Sequence, residues 1–173
     1  MARILIVLFF AGCIQSYGQQ NELPVWNNQP DVYASEDWLV KPVGSRAEVY
    51  QTQDKKNLVI FNGLVKRVFR ITPNVACIDY TNMTNGQQLL RAIKPEAQLT
   101  INGTKYNVGG LKGQQEKAYL IPQWVDQFEI GNNDFVFQHY TIKELTPFVS
   151  WKPKTWHPNY PTATGKLLSL TFT

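Results

Sequence analysis

Asp79, Glu96, Asp126, Glu129, Asp134 and Glu144 are the acids from which a hydrolytic pair could be drawn. Two carboxyl groups flanking a glycosidic bond can cleave it, one as acid and the other as base or nucleophile. Each of the six, however, stands at the edge of a strand-like run or in a turn, where solvation is enough to explain a carboxylate. Histidine offers less. His139 lies inside a strand pattern and His157 in a proline-rich loop, and the two are not at metal-ligand spacing. The G-x-S-x-G turn that presents a nucleophilic serine is missing. "VGGLKG", residues 108–113, has the glycines of a phosphate loop without its Lys-Ser/Thr ending or its strand–loop–helix setting, so a corner between strands is expected. The residue pattern therefore predicts no catalytic residue, no metal and no cofactor.

Other side chains suggest binding and modification. Asn82-Met83-Thr84 and Asn102-Gly103-Thr104 are acceptor sequences for N-linked sugar, making Asn82 and Asn102 the candidate glycosylation sites. Trp151, Trp156 and Tyr160 sit among prolines in "FVSWKPKTWHPNYP", and Trp124 lies in "IPQWVDQF". A flat ring held on a rigid loop can cover the apolar side of a pyranose. These four are the candidate glycan-stacking residues; the competing reading is that they close the end of a core.

Strands must position all of these groups. From Ala47 onward, short runs rich in Val, Ile, Tyr, Phe and Thr recur between Gly, Asn, Pro and Asp. They are "AEVYQT", "NLVIFN", "LVKRVFRI", "VACIDYT", "AQLTI", "KYNV", "KAYLIP", "DQFEI", "FVFQHYTI" and "KLLSLTF". Such spacing predicts an all-β fold, an antiparallel β-sandwich over 47–173, preceded by an irregular lead-in over 19–46. "GQQLLRAI" is the best helical candidate and is short. The most specific local expectation is a hairpin with a two-residue loop at Asn102-Gly103. It sets Ile101 opposite Thr104, Leu99 opposite Tyr106 and Ala97 opposite Val108. One face is then apolar, and Thr100, Lys105 and Asn107 fall on the other.

The first eighteen residues read as a signal peptide: Arg3, an apolar run from Ile4 to Phe10, then Ser16 and Gly18 ahead of Gln19. The run is too short to span a bilayer, so a secreted, extracellular protein without a membrane span is expected. The alternative is a bacterial lipoprotein processed at Phe10-Ala11-Gly12-Cys13 and anchored through Cys13. Removing the leader leaves Cys77 as the one cysteine, so no internal disulfide is available. It also takes the formal charge from +4 to +3, 16 basic residues against 13 acidic. The basic residues are scattered, which argues against nucleic acid and allows only a mild preference for anionic partners.

One resemblance adds to this. "NGLVKRVF", "LLRAIKPEA", "INGTKYNVGG" and the later "WKPKTWHP", followed by "GKLLSLTF", resemble the N-terminal β-sandwich of family 36-like glycoside hydrolases related to α-galactosidases. The likeness spans roughly residues 57–173 and implies a supersandwich-like domain without the separate catalytic barrel. No position matches a catalytic residue of that family. The family's sandwich runs on past the equivalent of Thr173, so the resemblance implies a sandwich incomplete at its C-terminus and a sheet edge open to self-association. The expected function is a secreted, non-catalytic β-sandwich that binds extracellular glycans or matrix proteins. The alternative is an accessory N-terminal module or fragment of a secreted glycoside hydrolase.

Overall fold

A computed structural model of the chain describes residues 22–27, 37–41, 46–146 and 164–173. Residues 1–21, which include Cys13 and the expected signal peptide, and the loop candidates Trp151, Trp156, His157 and Tyr160 lie outside the described residues.

The described chain is all-β. Strands β1 (Glu48–Gln51), β2 (Asn57–Phe61), β3 (Val65–Arg70), β4 (Ala76–Asn82) and β5 (Gln87–Gln88) form one antiparallel sheet in sequence order. Its turns are locally dictated. Between β2 and β3, Gly63 takes a φ of 85°, and the Asn62 carboxamide oxygen accepts from the N–H groups of Leu64 and Val65 at 3.0 and 2.8 Å. A second sheet contains β6 (Ala97–Ile101), β7 (Thr104–Val108) and the short β8 (Asp134–Phe135), and a two-stranded ribbon pairs β9 (Phe137–Glu144) with β10 (Lys166–Phe172). One pairing departs from the antiparallel expectation: β7 and β8 run parallel over two residue pairs, fastened by the Asn107 amide donating to Asp134 Oδ1 at 2.7 Å.

Strand alternation separates the faces of the large sheet. Leu58, Phe69 and Cys77 project to one side and are buried with Val75; Phe137, Tyr140, Leu168, Leu170 and Phe172 of the β9–β10 ribbon pack against them. This interlayer cluster is the main core. A satellite cluster of Ala76, Ile93, Leu111, Val125 and Phe128 sits beyond the β3–β4 turn, with Ile78, Leu120 and Trp124 around it. Fully buried Asn74 joins the strands of the large sheet to the other elements. Its carboxamide oxygen accepts from Val75 and Phe137 N–H, and its Nδ2 donates to Phe135 O.

The 97–108 hairpin has the expected register, from Ala97 opposite Val108 to Ile101 opposite Thr104. Asn102 (φ 50°) and Gly103 (φ 80°) form the turn, both in the left-handed region that a two-residue hairpin loop of this kind requires. Its apolar face is not part of the core, however: all of β6 is exposed, with Leu99 45% and Ile101 46% accessible.

Three local expectations are corrected. "GQQLLRAI" forms β5 and then extended chain, because Gln88 Oε1 accepts from the N–H groups of Tyr80 and Leu90 and ties the segment to β4. "KAYLIP" is not a strand. It leads from a turn, where Lys117 has a φ of 64°, into a 3-10 helix, Pro122–Gln127, whose first residue is pre-set for helical φ. "DQFEI" is the end of that helix plus a single bridge between Glu129 and Lys112.

Candidate functional site

Five of the six acids considered for catalysis are held by structural partners. Asp79 pairs with Lys66 at 3.1 Å and Glu96 with Arg67 at 2.9 Å, while Glu144 meets Lys166. Asp126 accepts from both Arg70 and Lys56, and the Arg70 guanidinium holds its carboxyl below the ordinary carboxylate range. Asp134 accepts from the Asn107 amide and Gly131 N–H. Each of these five answers a cation or an amide in the fold. Among the described residues no group of three or more His, Cys, Asp and Glu is gathered in a way that could hold a metal ion.

Two depressions stand out among the described residues. The first, about 640 Å³, lies between residues 91–94 and 111–119. Arg91, Lys94, Lys112 and Lys117 line it against a single acid, Glu116, and buried Ile93 and Leu111 form its apolar part. Gln114 fastens the two walls: its Oε1 accepts from Ile93 N–H at 2.9 Å, and its Nε2 donates to the carbonyls of Arg91 and Ala118. The Arg91 guanidinium stands 5.4 Å from the centre of the Tyr119 ring, which is 65% exposed. This cleft favours an anionic contact.

The second depression, a groove of about 750 Å³, crosses the face of the large sheet opposite the interlayer core. The register places Tyr50, Val59, Val68 and Asp79 in one row across β1–β4. Trp26 reaches this face because residues 24–26 run alongside β1: Gln51 N–H donates to Pro24 O at 3.0 Å, and Trp26 N–H donates to Gln51 O at 2.8 Å. The indole meets Tyr50 and Phe61 edge to face, at centroid distances of 5.2 and 5.3 Å. Around it the groove is polar, lined by Asn27, Thr52, Gln53, Asp54 and Asn57, with the Lys66–Asp79 pair at the sheet.

Those polar groups are held in fixed geometry. Thr52 Oγ donates to Asp54 Oδ1 at 2.6 Å, and that bond, with Lys56 N–H at 3.0 Å, holds the Asp54 carboxyl below its usual range. With its proton committed to Asp54, the Thr52 hydroxyl accepts from Asn57 Nδ2 at 3.3 Å. The amide of Asn57 is thereby oriented, and its Oδ1 is left buried with no hydrogen-bond donor in reach. The arrangement provides one aromatic wall, fixed acceptors and amide donors. It is equipped for binding hydroxyl-rich ligands.

The other candidates fall elsewhere. Trp124 is half-buried in the 3-10 helix and packs against the satellite cluster, so it lines neither depression. Asn102 is exposed at the hairpin tip. Asn82 ends β4 half-buried, with its Oδ1 accepting from both the N–H and the hydroxyl of Thr84 at 2.9 and 2.7 Å. Residues 108–113 form the corner after β7 that their glycines suggest, with Gly109, Gly110 and Gly113 all at positive φ. The Trp26 groove was not apparent in the sequence. Its one signal was a tryptophan in a polar lead-in, and the partners Tyr50, Asp54, Asn57 and Asp79 come together only through sheet register.

No helix among the described residues is long and apolar enough to cross a membrane. Comparison with known protein families, characterised proteins and solved structures yields no match to the chain.

Proposed function

We propose that this is a secreted, non-catalytic β-sandwich glycoprotein that binds glycans of the extracellular matrix through the Trp26 groove. One observation carries the reading: an indole braced edge-on by Tyr50 and Phe61 stands over oriented carboxylate and amide groups on a sheet face. A pyranose offers what such a wall and floor recognise, an apolar ring face and a rim of hydroxyls. The engagement of Glu96, Glu144 and Asp134 with cations and amides elsewhere in the fold, and of Asp79 with Lys66 in the groove, supports a binding role over hydrolysis. The cleft at Arg91 and Lys117 gives the same molecule a basic surface suited to acidic matrix components.

The test is a glycan array and titration calorimetry with the mature chain, Trp26→Ala and Asp54→Asn. The expected result is saturable binding to a neutral polysaccharide, with affinity falling about tenfold or more in either variant. Asp54→Asn keeps the shape of the groove while removing the charge and turning one acceptor oxygen into a donor. Folded wild-type protein that retains no glycan overturns the proposal. Secretion is read separately by N-terminal sequencing, with Gln19 as the expected first residue and Met1 as the result that refutes export.

A further inference from the structure

β6 is the outer strand of its sheet, and each of its five residues is exposed. The two-residue turn determines where its backbone groups point. The pair flanking such a turn exchanges N–H···O bonds, and bonding pairs then alternate along the ladder. Ile101 and Leu99 therefore bond inward to Thr104 and Tyr106, while Gln98 and Thr100 direct their N–H and C=O groups out at the open edge.

Among the described residues the other edges are protected by devices that discourage strand addition. β1 is bridged by Val25 and bonded by Pro24 and Trp26. β5 and β8 are two residues long. β9 carries Lys143 and Glu144, and β10 lies beside β1 with Lys166 reaching Glu48 at 3.6 Å. β6, "AQLTI", has neither charge nor proline, and none of the described residues covers it.

We infer that β6 pairs antiparallel with β6 of a second copy of this chain, about a two-fold axis at Leu99. In that register Leu99 faces its own counterpart, Gln98 faces the partner's Thr100, and Ile101 faces the partner's Ala97. The outward N–H and C=O groups of Gln98 and Thr100 meet their complements on both sides of the axis. The apolar face becomes one continuous row, Tyr106–Leu99 running into the partner's Leu99 and Tyr106. The nearest charge on the strand, Glu96, falls opposite the partner's Asn102, so no like charges are brought together. It is this symmetry that selects a second copy over an unrelated strand, since an isologous contact must be complementary to itself. Five residues a side bury less than the roughly 1,200 Å² of a stable interface, so the pairing is a weak, reversible one.

The experiment uses the mature chain, free of glycans. In sedimentation equilibrium, the weight-average mass should climb from monomer toward dimer as concentration approaches about 1 mM. Leu99→Lys, a change at an exposed site, should return the mass to monomer at every concentration. Leu99→Cys should give a disulfide-linked dimer under mild oxidation, because directly opposed residues bring Cβ atoms to about 5 Å. A mixture of Gln98→Cys and Thr100→Cys should cross-link, while Gln98→Cys alone and the control Thr104→Cys should not. A concentration-independent monomer overturns the inference. So does cross-linking at position 104 that matches position 99.

Discussion

Asn74 Oδ1 accepts from Phe137 N–H at 2.9 Å, across 63 residues of chain, while the same side chain donates to Phe135 O at 3.2 Å. One fully buried amide thus completes the backbone pairing at the junction of β8 and β9. Asn74→Ala leaves the N–H groups of Val75 and Phe137 without their acceptor, whereas Phe135 O keeps Gly109 N–H at 3.4 Å; each orphaned donor costs about 1–3 kcal/mol. The expected loss is about 3 kcal/mol or more in urea denaturation. Asn74→Asp, which keeps the acceptor and loses the donor, should also destabilise.

Lys66 and Asp79 form an ion pair in which the lysine side chain is only 10% accessible. Asp79 also accepts from Thr81 Oγ and Gln88 Nε2. Removing the carboxylate takes the counter-charge away from a largely enclosed ammonium, a change that typically costs about 3–5 kcal/mol. Asp79→Ala should therefore destabilise strongly, and Lys66→Met, which deletes the charge and keeps the stem, much less. Paired denaturation curves check the order, and equal losses would contradict it.

Gly109 and Gly103 both have positive φ, yet only one is tightly enclosed. A Cβ on Gly109 would lie 2.6 Å from Val75 O and 3.2 Å from the Phe172 ring, whereas one on Gly103 meets nothing. Gly103→Ala should cost the left-handed strain alone, about 1–2 kcal/mol. Gly109→Ala adds a clash with backbone at the interlayer core, so its melting temperature should fall well below that of Gly103→Ala.

Acid should weaken the fold. Asp54 is held below its ordinary value of 3.8 first by the Thr52 hydroxyl, and Asp126 first by the Arg70 guanidinium. A carboxyl with a depressed folded pKa contributes stability above its unfolded pKa and loses it as pH falls through the folded one. The urea midpoint should hold from pH 7 to about 5 and decline below about 4, with a shallower decline in Asp126→Asn. At the other end, burial pushes the Cys77 thiol and the Tyr140 phenol up from 9.0 and 10.0. The unfolded chain then sheds these protons first, and stability should fall again as pH rises past those values.

Glycosylation makes two separable predictions. Material from a eukaryotic secretory host should lose mass on enzymatic deglycosylation, and Asn102→Gln and Asn82→Gln should each remove one step of that loss. Asn102 at the exposed tip should be the more completely modified, since Asn82 is half-buried and its side chain is bonded to Thr84.

Much of the fold was legible wherever a local rule determined it. The 97–108 register followed from Asn102-Gly103 and period-two alternation, and most of the Val-, Ile- and Tyr-rich runs became strands. Alternation says which side chains share a face, not what covers that face, so the exposure of Leu99 and Ile101 could not be read from it. "KAYLIP" and "DQFEI" have strand composition but surround a 3-10 helix, because Pro122 and the packing of Val125 and Phe128 in the satellite cluster outweigh propensity. The Trp26 groove joins residues from 26 to 79 through pairing partners that no short motif encodes.

Cys77, enclosed between the large sheet and the β9–β10 ribbon with its sulfur 3.3 Å from Arg67 Nε, is the one cysteine of the chain besides Cys13. A maleimide or an aromatic disulfide can reach that sulfur only when the two layers part. The protein therefore carries a built-in clock for its own breathing: the half-time of thiol labelling reports how often the layers separate, in any variant, without an engineered cysteine.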